Sequence, residues 1–324
     1  MKSTRNLLIE LLEKNKDNYI SGQHMSNKLG VSRSAIWKHM KELEKDGYEI
    51  IGVPKKGYQI TRFPSKVSEN TIQWGLNTKW LGKNLVHKES IESTQILGHQ
   101  LAIEGSKHGT VIVADTQTAG KGRMERKWYS TNGQGIWMSM ILRPTLLPHQ
   151  APQITLLAAT VLADVIKEQT GIVPSIKWPN DVLINDKKIS GILTEMQAEQ
   201  DCIQYIILGI GININQTIDH LPDDIKEIAT SLKIETEKDW NIRDFIQHFL
   251  VRFEQVYQLF LDNGFSSVKQ SWESYAYKIG QTVTIQTFHK KSQAKLVGIK
   301  ADGALIIENE SGKKETLYSA EIQW

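Results

Sequence analysis

Leucines at 7, 8, 11 and 12 share one side of a 3.6-residue repeat, so the spacing predicts a first helix over residues 4–14. Ser21 stands where it can cap a second helix running to about Leu29, and Gly30 suits its C-terminal stop. Ser32 can cap a third, on which Ile36, Met40 and Leu43 recur at i, i+4 and i+7 before Gly47 ends it. Two short helices around a glycine-bearing turn describe a helix-turn-helix. "YEIIGVPKKGYQI" then reads as two strand-like runs about Pro54-Lys55-Lys56-Gly57, a hairpin with a basic tip, the wing of a winged helix. Periodicity lapses over residues 61–66, where a proline sits, and a linker is predicted there.

Beyond the linker, period-2 and period-3.6 stretches mix. "LVHKES", "TVIVADTQT" and "GIWMSMIL" read as strands, and Ser93 as the cap of a helix between the first two. Residues 152–169 form a long apolar helix stopped by Gly171. "VLINDKKISGILTEM" resembles a hairpin turning at Asn185-Asp186, and "CIQYIILGIGININ" is a buried strand. This is a mixed α/β or α+β layer domain. From about residue 278, "TVTIQT", "AKLVGI" and "GALIIE" alternate between turns, the pattern of a small β-rich domain.

Charge changes the picture only once it is divided. The chain's net charge is +3, yet residues 1–66 hold 13 Lys/Arg against 7 Asp/Glu, and the remainder 26 against 29. All the excess positive charge sits on the predicted helix-turn-helix, as expected of a nucleic-acid-binding module on a nearly neutral body. Opposite Ile36, Met40 and Leu43, the third helix offers Arg33, Ser34, Lys38 and Lys41, which can reach base edges and phosphates; Lys55 and Lys56 tip the wing. A packing domain with a solvated charged face is the plainer alternative. The combination of caps, turn, wing and charge asymmetry favours DNA. The single cysteine, Cys202, excludes a disulfide framework and fits a reducing cytosol. No stretch has the length and apolarity of a membrane span or signal peptide, so the expected location is cytoplasmic.

The familiar small-molecule motifs are missing from the central region. No G-x-G-x-x-G follows a strand, and neither a phosphate-binding G-x-x-x-x-G-K-[ST] nor a G-x-S-x-G elbow occurs. The nine histidines are scattered without metal-ligand spacing, so no protein-held metal is expected. What remains is "GKGRMERKW" at 120–128, with four basic side chains, two glycines and a tryptophan in nine residues. Glycines let backbone approach a ligand, and the cations suit an anion, whether phosphate, carboxylate or nucleic acid; a solvated basic loop is the alternative. Ser93, Thr94 and Gln95 mark a helix start, where hydroxyls and free N–H groups bind small polar groups. Gln117 precedes the glycine loop. Lys177 lies between Ile176 and Trp178, and an ammonium is rarely placed among apolar neighbours unless a partner meets it. Asn213 in "GIGININ" reads more readily as a strand-end residue than as a ligand contact.

"ESIESTQ" at 89–95, "DTQTAGKGRMERKW" at 115–128, "KWPND" at 177–181, "GILTEMQAE" and "GIGININ" follow one another in the order of the biotin protein ligases. With the winged helix, the whole chain resembles the bifunctional kind that also represses the biotin operon. One departure stands out: the family's loop reads Gly-Arg-Gly-Arg, and Lys121 occupies its second position here. Lysine keeps the charge but loses the planar bidentate fork.

The resemblance implies three domains: a winged helix-turn-helix over 1–66, a mixed-sheet catalytic domain of class II synthetase type over 67–276, and an SH3-like β-barrel over 277–324. It implies that biotin attacks ATP, with Mg²⁺, to give biotinyl-5′-adenylate, and that a lysine of a biotin carboxyl carrier protein then takes the biotin. Lys177 and Arg123 are the implied catalytic residues. Ser93, Thr94, Gln95 and Gln117, with Lys121, Gly122, Arg123 and Lys177, are implied at biotin; Arg126, Trp128 and Asn213 are implied at the nucleotide. The further partners implied are operator DNA and a second copy of the chain when the adenylate is bound. A lipoate-type ligase and a non-catalytic, small-anion-sensing transcription factor stay open as alternatives.

Overall fold

The computed structural model describes residues 4–62, 64, 66–130, 133–287 and 291–323. Phe63 and Ser65 of the expected linker lie outside the described residues. The chain divides into two compact units, one running to Asn77 and including Asn241–Gln247, the other comprising Thr78–Trp240 and the chain from His248.

The first unit follows the sequence pattern closely. Helices α1 (Thr4–Glu13), α2 (Gly22–Leu29) and α3 (Arg33–Lys45) precede the hairpin β1 (Glu49–Val53) and β2 (Gly57–Arg62), then a short α4 (Glu69–Gln73). Ser21 Oγ accepts from the His24 N–H at 3.1 Å and Ser32 Oγ from Ala35 at 3.2 Å, so each serine satisfies a donor the helix start leaves open. Gly30 ends α2 at φ 67°, a conformation costly for other residues. Leu8, Leu12, Met25, Ile36, Met40 and Leu43 form the buried core, and Trp74 packs into it from beyond α4. The wing is tied down by the Ile20–Tyr58 bridge. Gly57 makes that possible: a Cβ there would stand 2.1 Å from the Ile20 carbonyl oxygen.

The second unit holds β3 (Leu85–Ile91), α5 (Thr94–Ile103), β4 (Thr110–Gln117), β5 (Gly135–Leu142), α6 (Ala151–Thr170), β6 (Ser175–Lys177), β7 (Asp181–Ile184), β8 (Lys187–Glu199) and β9 (Cys202–Asn213). These strands make one seven-stranded sheet in the order β3-β4-β5-β9-β8-β7-β6, antiparallel except for β3–β4. The β7–β8 hairpin turns at Asn185 and Asp186, φ 48° and 63°, as a two-residue connection with positive φ at both positions does. After α7 (Leu232–Thr236) come α8 (Ile242–Asn263) and α9 (Ser266–Tyr275). Helix α8 is not among the elements expected from the sequence, although Phe245, Phe249, Phe253 and Tyr257 recur every fourth residue and are buried. On α8, Glu254 accepts the backbone N–H groups of Lys79, Trp80 and Leu81 at 2.6–2.9 Å, which is what allows a carboxylate to be buried there.

The tail forms a five-stranded antiparallel sheet from β10 (Thr282–Gln286), β11 (Lys291–Ile299), β12 (Leu305–Asn309), β13 (Lys314–Leu317) and β14 (Glu321–Gln323), in the order β13-β12-β11-β10-β14. It belongs to the same compact unit as the seven-stranded sheet. The Trp178 indole donates to the Gly303 carbonyl at 3.1 Å and Gln153 to Ala301 at 3.0 Å, and these bonds join tail and sheet beside the site.

Candidate active site and nucleic-acid interface

The stretch 120–128 folds back on itself. Gly122 N–H bonds the Arg126 carbonyl at 2.7 Å and Trp128 N–H the Gly120 carbonyl at 2.8 Å, with Lys121 bridged to Lys127. Gly120 has to be small, since its Cβ would fall 2.5 Å from the Trp128 carbonyl oxygen. At the tip, Met124 and Glu125 both adopt positive φ, 55° and 56°, a strained arrangement for side-chain-bearing residues. The loop lies over two adjoining cavities.

The smaller cavity, about 50 Å³, is lined by Ser93, Thr94, Gln95, Gln117 and Lys121, which the sequence singled out, and by Ser139, Gly191, Gly209 and Gly211, which it did not. Its polar groups form one network. Gln117 Oε1 accepts from Thr94 N–H at 2.8 Å and stands 3.1 Å from the Thr94 hydroxyl, while its amide donates to Ser130 at 2.8 Å. Thr94 Oγ1 lies 2.8 Å from Ser139 Oγ, which donates to Gln95 Oε1 at 3.1 Å; the Gln95 amide donates to the Ile207 carbonyl at 3.0 Å. Ser93 caps α5 by accepting from Gln95 N–H. Donors and acceptors are thus held rigidly on α5, β4 and β5. The alternate glycines of "GIG" clear the floor: a Cβ on Gly209 would stand 2.5 Å from Gln95 Oε1, and one on Gly211 2.4 Å from the Trp128 indole nitrogen. Glycines two apart in an otherwise apolar strand are the signal that could have revealed them, because they share one face. Trp128 lies across this floor, its indole nitrogen buried without a hydrogen-bond partner. The Lys188 ammonium sits 5.4 Å from its ring centroid and 2.7 Å from Asp181.

The larger cavity, about 280 Å³, contains Lys177, Arg126 and Asn213, and Glu321 of β14. Gly122, Arg123, Trp128, Asn180 and Lys188 border both cavities. Lys177 ends β6, is only 8% exposed, and burial pulls its ammonium down to about 8; Asp181 across the hairpin opposes that shift and Lys188 adds to it. Burial likewise lowers Arg123, which Asp181 and Glu321 counter; its guanidinium donates to Asn180 Oδ1 at 3.2 Å. Asn213 bonds the Thr230 carbonyl at 2.9 Å and accepts from Gln216, holding a strand end at the cavity wall. Arg126 is tied to the Glu321 carboxylate at 2.9 Å. If a phosphate is bound by Arg126, it would have to displace that carboxylate. Glu321→Gln is therefore expected to lower KM for ATP about two- to fivefold at unchanged kcat, a small gain because the pair is largely exposed. Steady-state kinetics with ATP varied check this, and an increase in KM would show that Glu321 assists the nucleotide instead.

In the first unit, Arg33, Ser34, Lys38 and Lys41 all lie exposed on α3, and Lys55 and Lys56 at the wing tip. Lys41 pairs with Glu44 at 2.6 Å, while Arg33 and Lys38 have no ionic partner among the described residues.

A winged helix with a basic face, joined to a sheet whose cavities gather Lys177, Arg123 and a neutral polar network, defines a DNA-binding protein with an enzyme site for anions. The chain matches the HTH domain family over residues 4–59, the biotin/lipoate A/B protein ligase family over 88–213, and the biotin protein ligase C terminal domain over 278–323. It is 47% identical to the bifunctional ligase/repressor BirA of Bacillus spizizenii over all of this chain and 99% of that one, and 46% identical to that of Bacillus subtilis over the same shares. Among solved structures it resembles a biotin protein ligase from Aquifex aeolicus in complex with biotin and ATP, at 34% identity and TM-score 0.64, covering 74% of this chain and 98% of that one. The chain belongs to the biotin/lipoate A/B protein ligase family, with its likeness to the ligase/repressors running from end to end.

Proposed function

We propose that the chain is an ATP-dependent biotin protein ligase that also represses genes of biotin synthesis or uptake. The observation that carries the chemistry is the buried Lys177 in the larger cavity, which Arg123, bordering both cavities, also lines. The small cavity's donors and acceptors suit a neutral ureido head, which needs both. The acid chain would then run under the glycine loop toward Lys177, with ATP in the larger cavity. Admission of the head requires Trp128 to shift from the glycine floor.

A carboxylate oxygen of biotin attacks the α-phosphorus, the bond to the bridging oxygen of the β-phosphate breaks, and pyrophosphate leaves. The two reactants are both anionic. Lys177 neutralises charge between carboxylate and α-phosphate, and Arg123 bonds phosphate oxygens from the loop, in a setting where burial strengthens both interactions. Among the described residues no group of three or more His, Cys, Asp and Glu could hold a metal ion. Mg²⁺ would come with the polyphosphate, into the cavity that Asp181 and Glu321 line, and would supply charge neutralisation on the leaving group. In the second step a carrier-protein lysine, as the free amine, attacks the acyl carbon; AMP leaves and an amide forms with loss of a proton. The closed loop keeps water from the anhydride in between.

We assign DNA binding to residues 1–66, the chemistry to 67–276 and a supporting role to 277–324. The repressing species is a dimer carrying the adenylate, since one winged helix makes few base contacts and two copies read a two-fold site. Its substrates, ATP and a carrier protein, fit the cytoplasm, and no described helix is long and apolar enough to cross a membrane. Biotin-dependent ATP–pyrophosphate exchange tests the enzyme. No exchange, or exchange with lipoate alone, overturns the assignment. Footprinting of a regulatory DNA for biotin genes, with sedimentation in parallel, tests the repressor. Biotin and ATP together should tighten protection about tenfold and raise the mass; a coupling of roughly 1.4 kcal/mol suffices. Equal protection and mass without ligands would remove the switch.

A further inference from the structure

Trp37 is 56% exposed on α3. A lone exposed apolar residue is ordinary on a protein surface. Its neighbours make this one unusual. The other exposed residues of α3 are Arg33, Ser34, Lys38, Lys41 and Lys45, all polar or basic. Trp37 lies one helical turn after Arg33 and Ser34 and one before Lys41, so these side chains share a face. The inward face, Ile36, Met40 and Leu43, is fully buried, and more than half of the Trp37 surface stays outside that core.

The cations on this face suit a polyanion, which argues against an apolar protein surface as the occupant. They also leave a gap in readout. Arginine and lysine contact phosphates and guanine, and serine either donates or accepts, but none of them recognises the one apolar feature of the major groove, the thymine methyl. An indole does. We infer that Trp37 enters the major groove with α3 and reads a thymine methyl in each half-site, as a specificity-determining residue. This rests on the DNA-binding reading proposed for residues 1–66.

The probe is a set of duplexes enriched from a random pool by the full-length protein with biotin and ATP. Each thymine is then replaced in turn by uracil, which lacks only the methyl. For the unaltered protein, uracil at one position per half-site should weaken binding about tenfold, within the range of a single base-pair mismatch. Trp37→Ala should lose a similar factor on the thymine duplex and be indifferent to uracil there, while Trp37→Phe keeps the sensitivity. The salt dependence should stay the same, since Trp37 carries no charge to neutralise a phosphate. Uracil tolerated at every position, or Trp37→Ala binding as tightly as the parent, would overturn the inference. So would a variant that changes only sedimenting mass, because Trp37 would then cover a protein surface. If the unaltered protein enriches no sequence at all, the DNA-binding reading itself fails. The uracil series needs no variant, and unaltered affinity of the Trp37 variants for non-specific duplex reports that the winged helix still folds.

Discussion

Replacing Lys177 with alanine is expected to slow biotin-dependent ATP–pyrophosphate exchange by about 10²–10³-fold, the usual cost of removing one preorganised charge stabiliser. The size follows from placement. Lys177 is 8% exposed at the end of β6, where little water is available to substitute for it. Its removal should not unfold the protein, because burial disfavours the ammonium and that cost disappears with it. Lys177→Met, which keeps the stem's volume, should be equally inactive and at least as heat-stable. The lowered ammonium also sets a pH dependence. The unfolded lysine titrates near 10.5 and the folded one at about 8, so between those values the unfolded chain binds more protons, and Lys177's contribution to stability rises with pH. Ligand binding runs the opposite way. Two substrate anions require the charged form, so above pH 8 they bind with proton uptake, and kcat/KM for biotin should fall up to tenfold per pH unit. A profile flat to pH 9.5, or a Lys177→Ala protein with near-normal exchange, would remove Lys177 from the mechanism.

The double substitution Arg33→Ala with Lys38→Ala is expected to weaken operator binding about 10²- to 10³-fold, since each interaction with base or phosphate contributes roughly 1–3 kcal/mol. These two are the telling pair on α3 because neither has an ionic partner among the described residues, whereas Lys41 is already held by Glu44. Titration at several salt concentrations should show a shallower dependence, by about one unit of slope for each phosphate no longer neutralised. Ligation should not change, because every residue assigned to substrate lies in the other compact unit. A double variant that still binds operator as tightly would place the DNA surface elsewhere.

The legibility of this chain varies with the range of the interaction. The serine caps at 21 and 32, the αL glycine at 30 and the Asn185-Asp186 turn are readable because donor and acceptor lie within a few residues, so local chemistry decides them. The same holds for the inward stripe of α3, which its period exposes. Helix α8 is equally periodic but carries no motif to draw attention to it. Trp37 shares the face of Arg33, Ser34 and Lys41 by the same helical arithmetic, yet an aromatic residue is ordinarily assigned to the core until its exposure is known.

By itself, then, the sequence determined the winged helix, the alternation of strands and helices, the basic asymmetry, and the cationic and polar residue types of the candidate site. Tertiary structure alone decided which of those residues meet. Gln95 bonds a carbonyl 112 positions away, Thr94 meets Ser139 across 45, and Arg126 finds Glu321 across 195. Such pairs depend on sheet register and on closing long loops, where a one-residue slip sends every side chain to the other face. The glycine floor under Trp128 is likewise made by two strands, with Gly191 opposite Gly211. The low pKa of Lys177 has the same origin: a lysine's charge is written in its side chain, but its loss of water depends on what the rest of the chain packs around it.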